Sequence, residues 1–478
     1  MSIERQAISG LKWTASSKFV TQAFAWVVTL VVVRLLSPAD YGLMAMATVV
    51  ISISSAIAEL GLDAAIVRAR SLTPEELAKL AGFVMALNVG IGLLLMLAAP
   101  LVAWAFREPR LVHLTQALSL QFVLSALSAV PQALMARDMR FQQRAWIDLA
   151  SGLTSSATTL AGALLGYGVW ALALGTLAGA AARTTLLLVF GQSIRPSLRL
   201  TGIREHLRYG GAMTTMRLLS DLTLQSDVLI ASRFLPAAAI GAYSVAVHLA
   251  TLPMQKIMSV VNQVAFPTAA RLQDDVARLR EGLIASFRVA SLVSVPLLWG
   301  LCACAPEFVR VVLGEKWQAA ILPLQLMSLI VPLRLISIVL MTSVAAVGRA
   351  DLCMKNMLVG VVLFPASFLI GVHWGIEGVA VAWPIAWALN LSFNLHRMAN
   401  AVGMRVADVA QALRLPCMAG LAMLGSITAA RFLLGDISDA VRLALLIGLG
   451  ALAYLTALTA LRPSIWQELR AVVATVRG

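Results

Sequence analysis

LAGFVMALNVGIGLLLMLAAPLVAWAF, Leu80 to Phe106, runs for 27 residues without one Asp, Glu, Lys or Arg. About 20 mostly apolar residues suffice for a helix to cross the hydrocarbon of a bilayer. This stretch is too long and too uniformly apolar for a helix with one face in water. It is bracketed by charge: Glu75, Glu76 and Lys79 stand before it, and Arg107, Glu108 and Arg110 behind it. A second apolar run then begins at Leu111.

The same alternation fills the chain and predicts about 14 spanning helices. They fall at Leu11–Leu35, Tyr41–Leu62, Leu80–Phe106, Leu111–Ala136, Trp146–Gly166, Gly168–Phe190, Arg208–Leu235, Ala238–Ala265, Leu283–Ala305, Ala319–Val347, Asn356–His373, Ile376–Met398, Ala412–Leu434 and Val441–Leu461. Gly166, Tyr167 and Gly168 leave room for only a very tight turn. The 478 residues are 60% hydrophobic and 13% charged, against about 25% charged in soluble chains, which leaves too little polar surface to cover a water-exposed globule. The fold class expected is therefore an all-α integral membrane protein. The opening MSIERQAISGLKW lacks a signal cleavage site, so the first apolar run is expected to be retained as a helix.

The net charge of +14 does not point to nucleic acid, because the basic residues are dispersed over short loops. With a cytoplasmic amino terminus, about 25 of them fall inside and about 8 outside, a positive-inside bias that puts both termini in the cytoplasm. The longest connection, around Gly191 to Leu207, holds no soluble domain, and no GxxxxGK[ST] phosphate loop occurs. Outer loops carry isolated acids such as Asp40, Glu108, Glu315 and Glu377 rather than a catalytic cluster. Cys302, Cys304, Cys353 and Cys417 form no zinc or disulfide pattern.

Shifted by 199 residues, the chain matches itself. Arg34-Leu-Leu-Ser-Pro-Ala-Asp-Tyr-Gly42 falls on Arg233-Phe-Leu-Pro-Ala-Ala-Ala-Ile-Gly241, and Glu75-Glu-Leu-Ala-Lys-Leu80 on Asp274-Asp-Val-Ala-Arg-Leu279. Gly168-Val-Trp-Ala-Leu-Ala173 pairs with Gly375-Ile-Glu-Gly-Val-Ala380 at a slightly larger offset. The repeat predicts two pseudo-repeated six-helix lobes, 1–200 and 201–400, with two further helices and a cytoplasmic tail in 401–478. Six spans per unit keep both copies in one orientation, so a transport site is expected between them.

A charge at the bilayer centre costs roughly 2.5–3.5 kcal/mol on insertion scales and marks a candidate site. Lys18 and Arg217 occupy equivalent repeat positions, and Arg334 lies mid-span, with a cavity role or a structural pair with Asp221 or Asp227 as its two readings. Lys256 and Arg183 lie nearer the cytoplasmic ends, where snorkelling competes with a cavity role. Lys18, Arg217, Arg334 and Lys256 are the candidate cavity cations. Asp221 is four residues from Arg217 on one helix face, so the two are expected to neutralise each other; Asp227 has no such neighbour and is the stronger candidate for a coupling proton or Na⁺. Asp221 and His248 complete the candidate ion-coupling set, with a satisfied helix-packing histidine the favoured reading of His248. For Glu59, Asn88, Asn390 and Asn394, interhelical hydrogen bonding is the favoured reading. No cofactor is expected.

The segments LLSPADYGLMAMATVV and GLDAAIVRARSLTPEELAKL, and the cytoplasmic ARDMRFQQRA, resemble Wzx-type oligosaccharide flippases, polysaccharide exporters of the multidrug/oligosaccharidyl-lipid/polysaccharide superfamily. The resemblance implies a two-lobe fold in the bacterial inner membrane and an undecaprenyl-pyrophosphate-linked oligosaccharide substrate, moved by alternating access for surface or extracellular polysaccharide synthesis. Partners implied are membrane lipid and a polysaccharide polymerase with its export machinery. Related lipid II flippases concentrate basic residues in their early spans and the eighth; this chain has Lys18 and Lys256 there, but no basic residue deep in the second span. The alternatives are a multidrug or cationic-metabolite exporter of the same superfamily and, from another class, a membrane polymerase or acyltransferase. The excess of interior cations argues for anionic cargo.

Overall fold

A computed structural model describes residues 27–59, 73–191, 195–197, 204–271, 276–435 and 437–462. The described residues are helical almost throughout. Helix α1 covers residues 27–35; then follow α2 (Pro38–Glu59), α3 (Pro74–Phe106), α4 (Leu111–Arg137), α5 (Phe141–Leu164), α6 (Val169–Phe190) and α7 (Arg204–Phe234). The second half contains α8 (Ala237–Arg271), α9 (Val276–Ala303), α10 (Ile321–Ala346), α11 (Ala350–Gly371), α12 (Gly375–Ala401), α13 (Val406–Leu433) and α14 (Asp439–Leu461). Ten helical stretches in the described residues are long and apolar enough to cross a membrane, with α11 and α12 counted together. Leu97, Phe432 and Leu433 are each more than four-fifths exposed, a condition that water would penalise and lipid accepts. The chain is an all-α, multi-pass membrane protein.

Most of these helices outlast the apolar runs that predict them, and at the starts of α3 and α13 the extension carries a polar capping box that hydropathy does not register. Helix α3 starts six residues before Leu80. There Pro74 opens the helix, Thr73 Oγ1 accepts from Glu76 N–H at 3.2 Å, and Glu76 Oε2 accepts from Thr73 N–H at 2.9 Å. This reciprocal box satisfies two of the donors that every helix start leaves open. The tight turn at Gly166–Gly168 lies where expected, with φ of 77° and 55° at its two glycines, a region that glycine enters without strain.

By contacts the chain divides into two compact units, Met1–Gly241 and Ala242–Gly478. Helix α7, which the repeat assigns to the second lobe, packs in the first unit against α2 and α3. Within the first unit the major pairings include α3 with α4, α5 with α6, and α4 with α6. In the second unit α9 pairs with α10, α11 with α12, and α10 with α12. Each pair is the first set moved on by six helices. Helices α13 and α14 pack on each other and on α9, closing a core of Val295, Met423, Ile427 and Leu446. A two-pronged ion pair, Arg431 Nε and Nη2 to Glu307 at 2.9 and 2.8 Å, anchors α13 beside the turn that follows α9; Glu307 is 1% exposed.

The repeat meets itself within the first unit. A Cβ on Gly42 would lie 1.8 Å from Ala237 O, and one on Gly241 would lie 1.7 Å from Pro38 O. The pairs Gly42/Gly241 and Pro38/Ala237 are both 199 residues apart, so the crossing is reciprocal. Either side chain would force two backbones apart. Gly42→Val and Gly241→Val are each expected to destabilise by at least about 1–3 kcal/mol, read as a lower thermal midpoint in detergent. Gly90→Ala, where no atom lies within 4 Å, should leave the midpoint unchanged.

Candidate functional site

Two groups of charged and aromatic side chains stand on these helices, one in each compact unit. In the first, Arg217 lies near the middle of α7 and its guanidinium bonds Glu59, the last residue of α2. The two side chains are about half exposed, 53% and 46%. Asp221, one turn on, is half-buried and makes no hydrogen bond or ion pair among the described residues. One further turn on, Gln225 Nε2 donates to Ser52 Oγ at 3.2 Å. Positions 217, 221 and 225 of α7 thus form a polar seam with 52 and 59 of α2. Helix α7 is not among the ten stretches apolar enough to cross a membrane, and an exposed ion pair of this kind is stable against water and costly against lipid.

The expected neutralisation of Arg217 by Asp221 takes a different form: the guanidinium is held by a carboxylate from another helix. The interhelical hydrogen bonding expected of Glu59 takes the form of an ion pair across 158 positions, which has no local sequence signal. Asp227 is 3% exposed, and its Oδ1 accepts from Val228 N–H at 2.7 Å. Arg183 is bridged to Asp148 at 3.2 Å. Asn88 donates to Ala58 O of α2 at 3.2 Å, an interhelical bond of the expected kind.

In the second unit, Arg334 lies halfway along α10, about 20 Å from its start. Its guanidinium carbon stands 5.8 Å from the centre of the Trp383 ring and 5.6 Å from that of Trp387. These indoles, one turn apart on α12, are nearly parallel, with centres 6.5 Å apart and planes at 12°. Phe364 of α11 packs against Trp383 at 5.3 Å and edge-on against Trp387 at 5.2 Å, while Phe368 lies 5.3 Å from Trp383. Trp383 Nε1 donates to Tyr243 Oη of α8 at 2.5 Å. The result is a rigid aromatic shelf carrying a cation on its π faces. A tryptophan pair in mid-span departs from the usual placement at the interfaces, and that departure is the signal that could have drawn attention to Trp383 and Trp387.

Lys18 lies outside the described residues. Lys256 is on α8 with its side chain outside the described set, and His248 is exposed on the same helix. Asp40 and Glu108 serve structure. Asp40 accepts from Ser37 N–H at 2.9 Å and Val169 N–H at 3.0 Å, tying α2 to the start of α6. Glu108 accepts two bonds from Arg110, at 2.8 and 2.9 Å, which hold its carboxyl below the usual carboxylate range.

Internally charged, polytopic helical units of this kind define a class of membrane protein. A family model described as Polysaccharide biosynthesis protein matches residues 31–322, and the chain belongs to that family. It is 28% identical over 414 residues to the lipopolysaccharide biosynthesis protein WzxC of Escherichia coli (strain K12), covering 84% of this chain and 82% of that protein. It is 26% identical over 416 residues to the teichuronic acid biosynthesis protein TuaB of Bacillus subtilis (strain 168), covering 83% and 85%. Among solved structures it is similar to the lipid II flippase MurJ in an inward closed conformation, with TM-score 0.77 over 95% of this chain and 99% of that one at 15% identity. A multidrug resistance MATE family transporter in an inward-facing conformation gives TM-score 0.61 over 80% and 95% at 14% identity. At these identities the structural likeness is one of fold.

The seam is tested by cysteine accessibility in a background without native cysteines. Asp221→Cys in membranes is expected to react with a water-soluble methanethiosulfonate reagent at least tenfold faster than Ser232→Cys, whose parent residue is 1% exposed. Equal, slow reaction at both would place the seam against lipid or packed protein.

Proposed function

We propose that this chain is a flippase that carries an undecaprenyl-pyrophosphate-linked oligosaccharide from the cytoplasmic to the periplasmic leaflet of a bacterial inner membrane, by alternating access, for surface or extracellular polysaccharide synthesis. Membership in the polysaccharide biosynthesis family supports the pathway. Relatives named for lipopolysaccharide and teichuronic acid synthesis support cargo built of sugars. The single observation that carries the reading is Arg334, a permanent cation at mid-depth backed by aromatic faces. A charge halfway along a span is costly in lipid, and a pyrophosphate is the kind of anion that a guanidinium takes through charge-assisted, bidentate hydrogen bonds.

On this reading the cavity first opens to the cytoplasm with both termini on that side. Arg217 and Arg334 engage the pyrophosphate, Lys18 and Lys256 extend the basic path, and the lipid tail stays in the bilayer. Rearrangement of the two repeats then exposes the sugar to the periplasm. Asp221 is the candidate for a coupling proton: it lies one turn from Arg217, whose guanidinium Glu59 occupies. Asp227 and His248 are the further candidates in the ion-coupling set. A polymerase acting on the delivered units is the expected pathway partner.

Arg334→Ala and Arg217→Ala are each expected to lower surface polysaccharide at least tenfold at unchanged protein level, with Arg334→Lys only partly restoring it because an ammonium lacks the planar fork. Normal export from the double Arg217→Ala, Arg334→Ala variant would reject the assigned role of both. Asp221→Asn should flatten the dependence of transport on the proton gradient; an unaltered dependence would remove Asp221 from coupling.

A further inference from the structure

Pro296 interrupts α9, and the carbonyl it strands is met from another helix. Proline has no backbone N–H, so the carbonyl four residues earlier, Leu292 O, loses its usual helical donor. Inside a bilayer such a carbonyl has to be satisfied by a neighbouring helix or by local rearrangement. Tyr454 of α14 does this: its Oη donates to Leu292 O at 3.2 Å, and both residues are buried. Pro100, Pro131, Pro332, Pro365, Pro384 and Pro416 also stand inside helices. Among the described residues, none of the carbonyls four places before them accepts a side-chain bond from another helix. The bond at Pro296 is therefore not what every proline in this chain receives.

Packing sets the bond in place. Gly450, one turn before Tyr454, admits Ile427 of α13: a Cβ there would lie 2.7 Å from Ile427 Cδ1. Tyr454 then joins Leu292, Val295, Met423 and Leu446 in one buried cluster. On either side of the break, ion pairs to α13 hold the chain. Near the start of α9, Arg280 Nε and Nη2 meet Asp408 at 2.9 and 2.6 Å. Past its end, Arg431 meets Glu307 at 2.9 and 2.8 Å. Charge-assisted bonds are roughly twice as strong as neutral ones. Helix α9 is thus held by paired charged bonds at both ends and, at its weak point, by one neutral bond. The neutral bond is the link that gives first.

We propose that α9 carries a latched hinge: Pro296 is the hinge, and the Tyr454 hydroxyl is the latch that closes it while α14 is docked. This gives the two helices outside the six-helix repeat a task, which is to set whether α9 bends. The inference holds whatever the cargo, because no residue of either charged group takes part in it.

Amide hydrogen exchange of the full chain in lipid nanodiscs tests the latch. Tyr454→Phe keeps the ring and deletes the hydroxyl. Exchange across 293–300 should quicken about fivefold, the extra opening expected from the loss of one hydrogen bond, with exchange in α14 unchanged. Pro296→Ala gives Leu292 O a backbone donor again, so in that background Tyr454→Phe should quicken exchange less than about twofold. No acceleration in Tyr454→Phe, or the same acceleration with and without Pro296, overturns the proposal: the hydroxyl would then be an ordinary tie between two helices. Should Pro296→Ala fail to fold, the single variant decides by location. Acceleration confined to 293–300 supports the latch, and any acceleration within 439–461 overturns it.

Discussion

A charge held among apolar helices needs an answer other than water, and how each internal cation is answered governs what this protein can bind. Among the described residues carboxylates answer several: Arg183 has Asp148, Arg217 has Glu59, Arg431 has the buried Glu307 and Arg280 has Asp408. Each such pair is nearly neutral. Arg334 is supported by the faces of Trp383 and Trp387. Aromatic faces stabilise a cation without cancelling its charge or occupying its donors.

The repeat shapes the scaffold that carries these charges. The pairings of α3, α4 and α6 recur six helices later in α9, α10 and α12, and the loop motif ending at Gly42 recurs at Gly241. Where the two copies of that motif touch, each glycine lies under the carbonyl of the other motif's middle residue, Ala237 or Pro38. Two related sequences meeting face to face make the same contact twice, so the small residue is demanded at both positions. Helices α13 and α14 have no counterpart earlier in the chain. They are fastened by means of their own: the Glu307–Arg431 pair at one end, and a core in which Gly450 admits Ile427 and Gly420 admits Trp299.

Much of the fold was legible because membrane helices advertise themselves through length and hydropathy. Leu80–Phe106 could be little else, and Gly166–Tyr167–Gly168 marked its turn through glycine alone. Helix ends were less legible. Thr73–Glu76 and Arg405–Asp408 extend α3 and α13 past their apolar cores by capping, which a span count does not detect. The site was legible as a set of charges and illegible as a set of partners. Arg217 and Asp221 are adjacent on one helix, so sequence spacing favoured that pair; the observed partner, Glu59, comes from a helix 158 positions away. The aromatic shelf draws on α8, α10, α11 and α12, and no local window contains it.

The two kinds of answered cation differ in what they ask of an arriving anion. On the proposed reading a phosphate at Arg217 displaces Glu59, and the carboxylate so released shares the seam with Asp221, which makes no ion pair among the described residues. Repulsion between them favours uptake of a proton or a metal cation, so anion binding at that seam and cation uptake are linked by charge alone. At Arg334 the π faces of Trp383 and Trp387 back the guanidinium without neutralising its charge. The proposed roles divide accordingly, with attraction for cargo assigned to Arg334 and response to an ion gradient to the Glu59–Arg217–Asp221 seam.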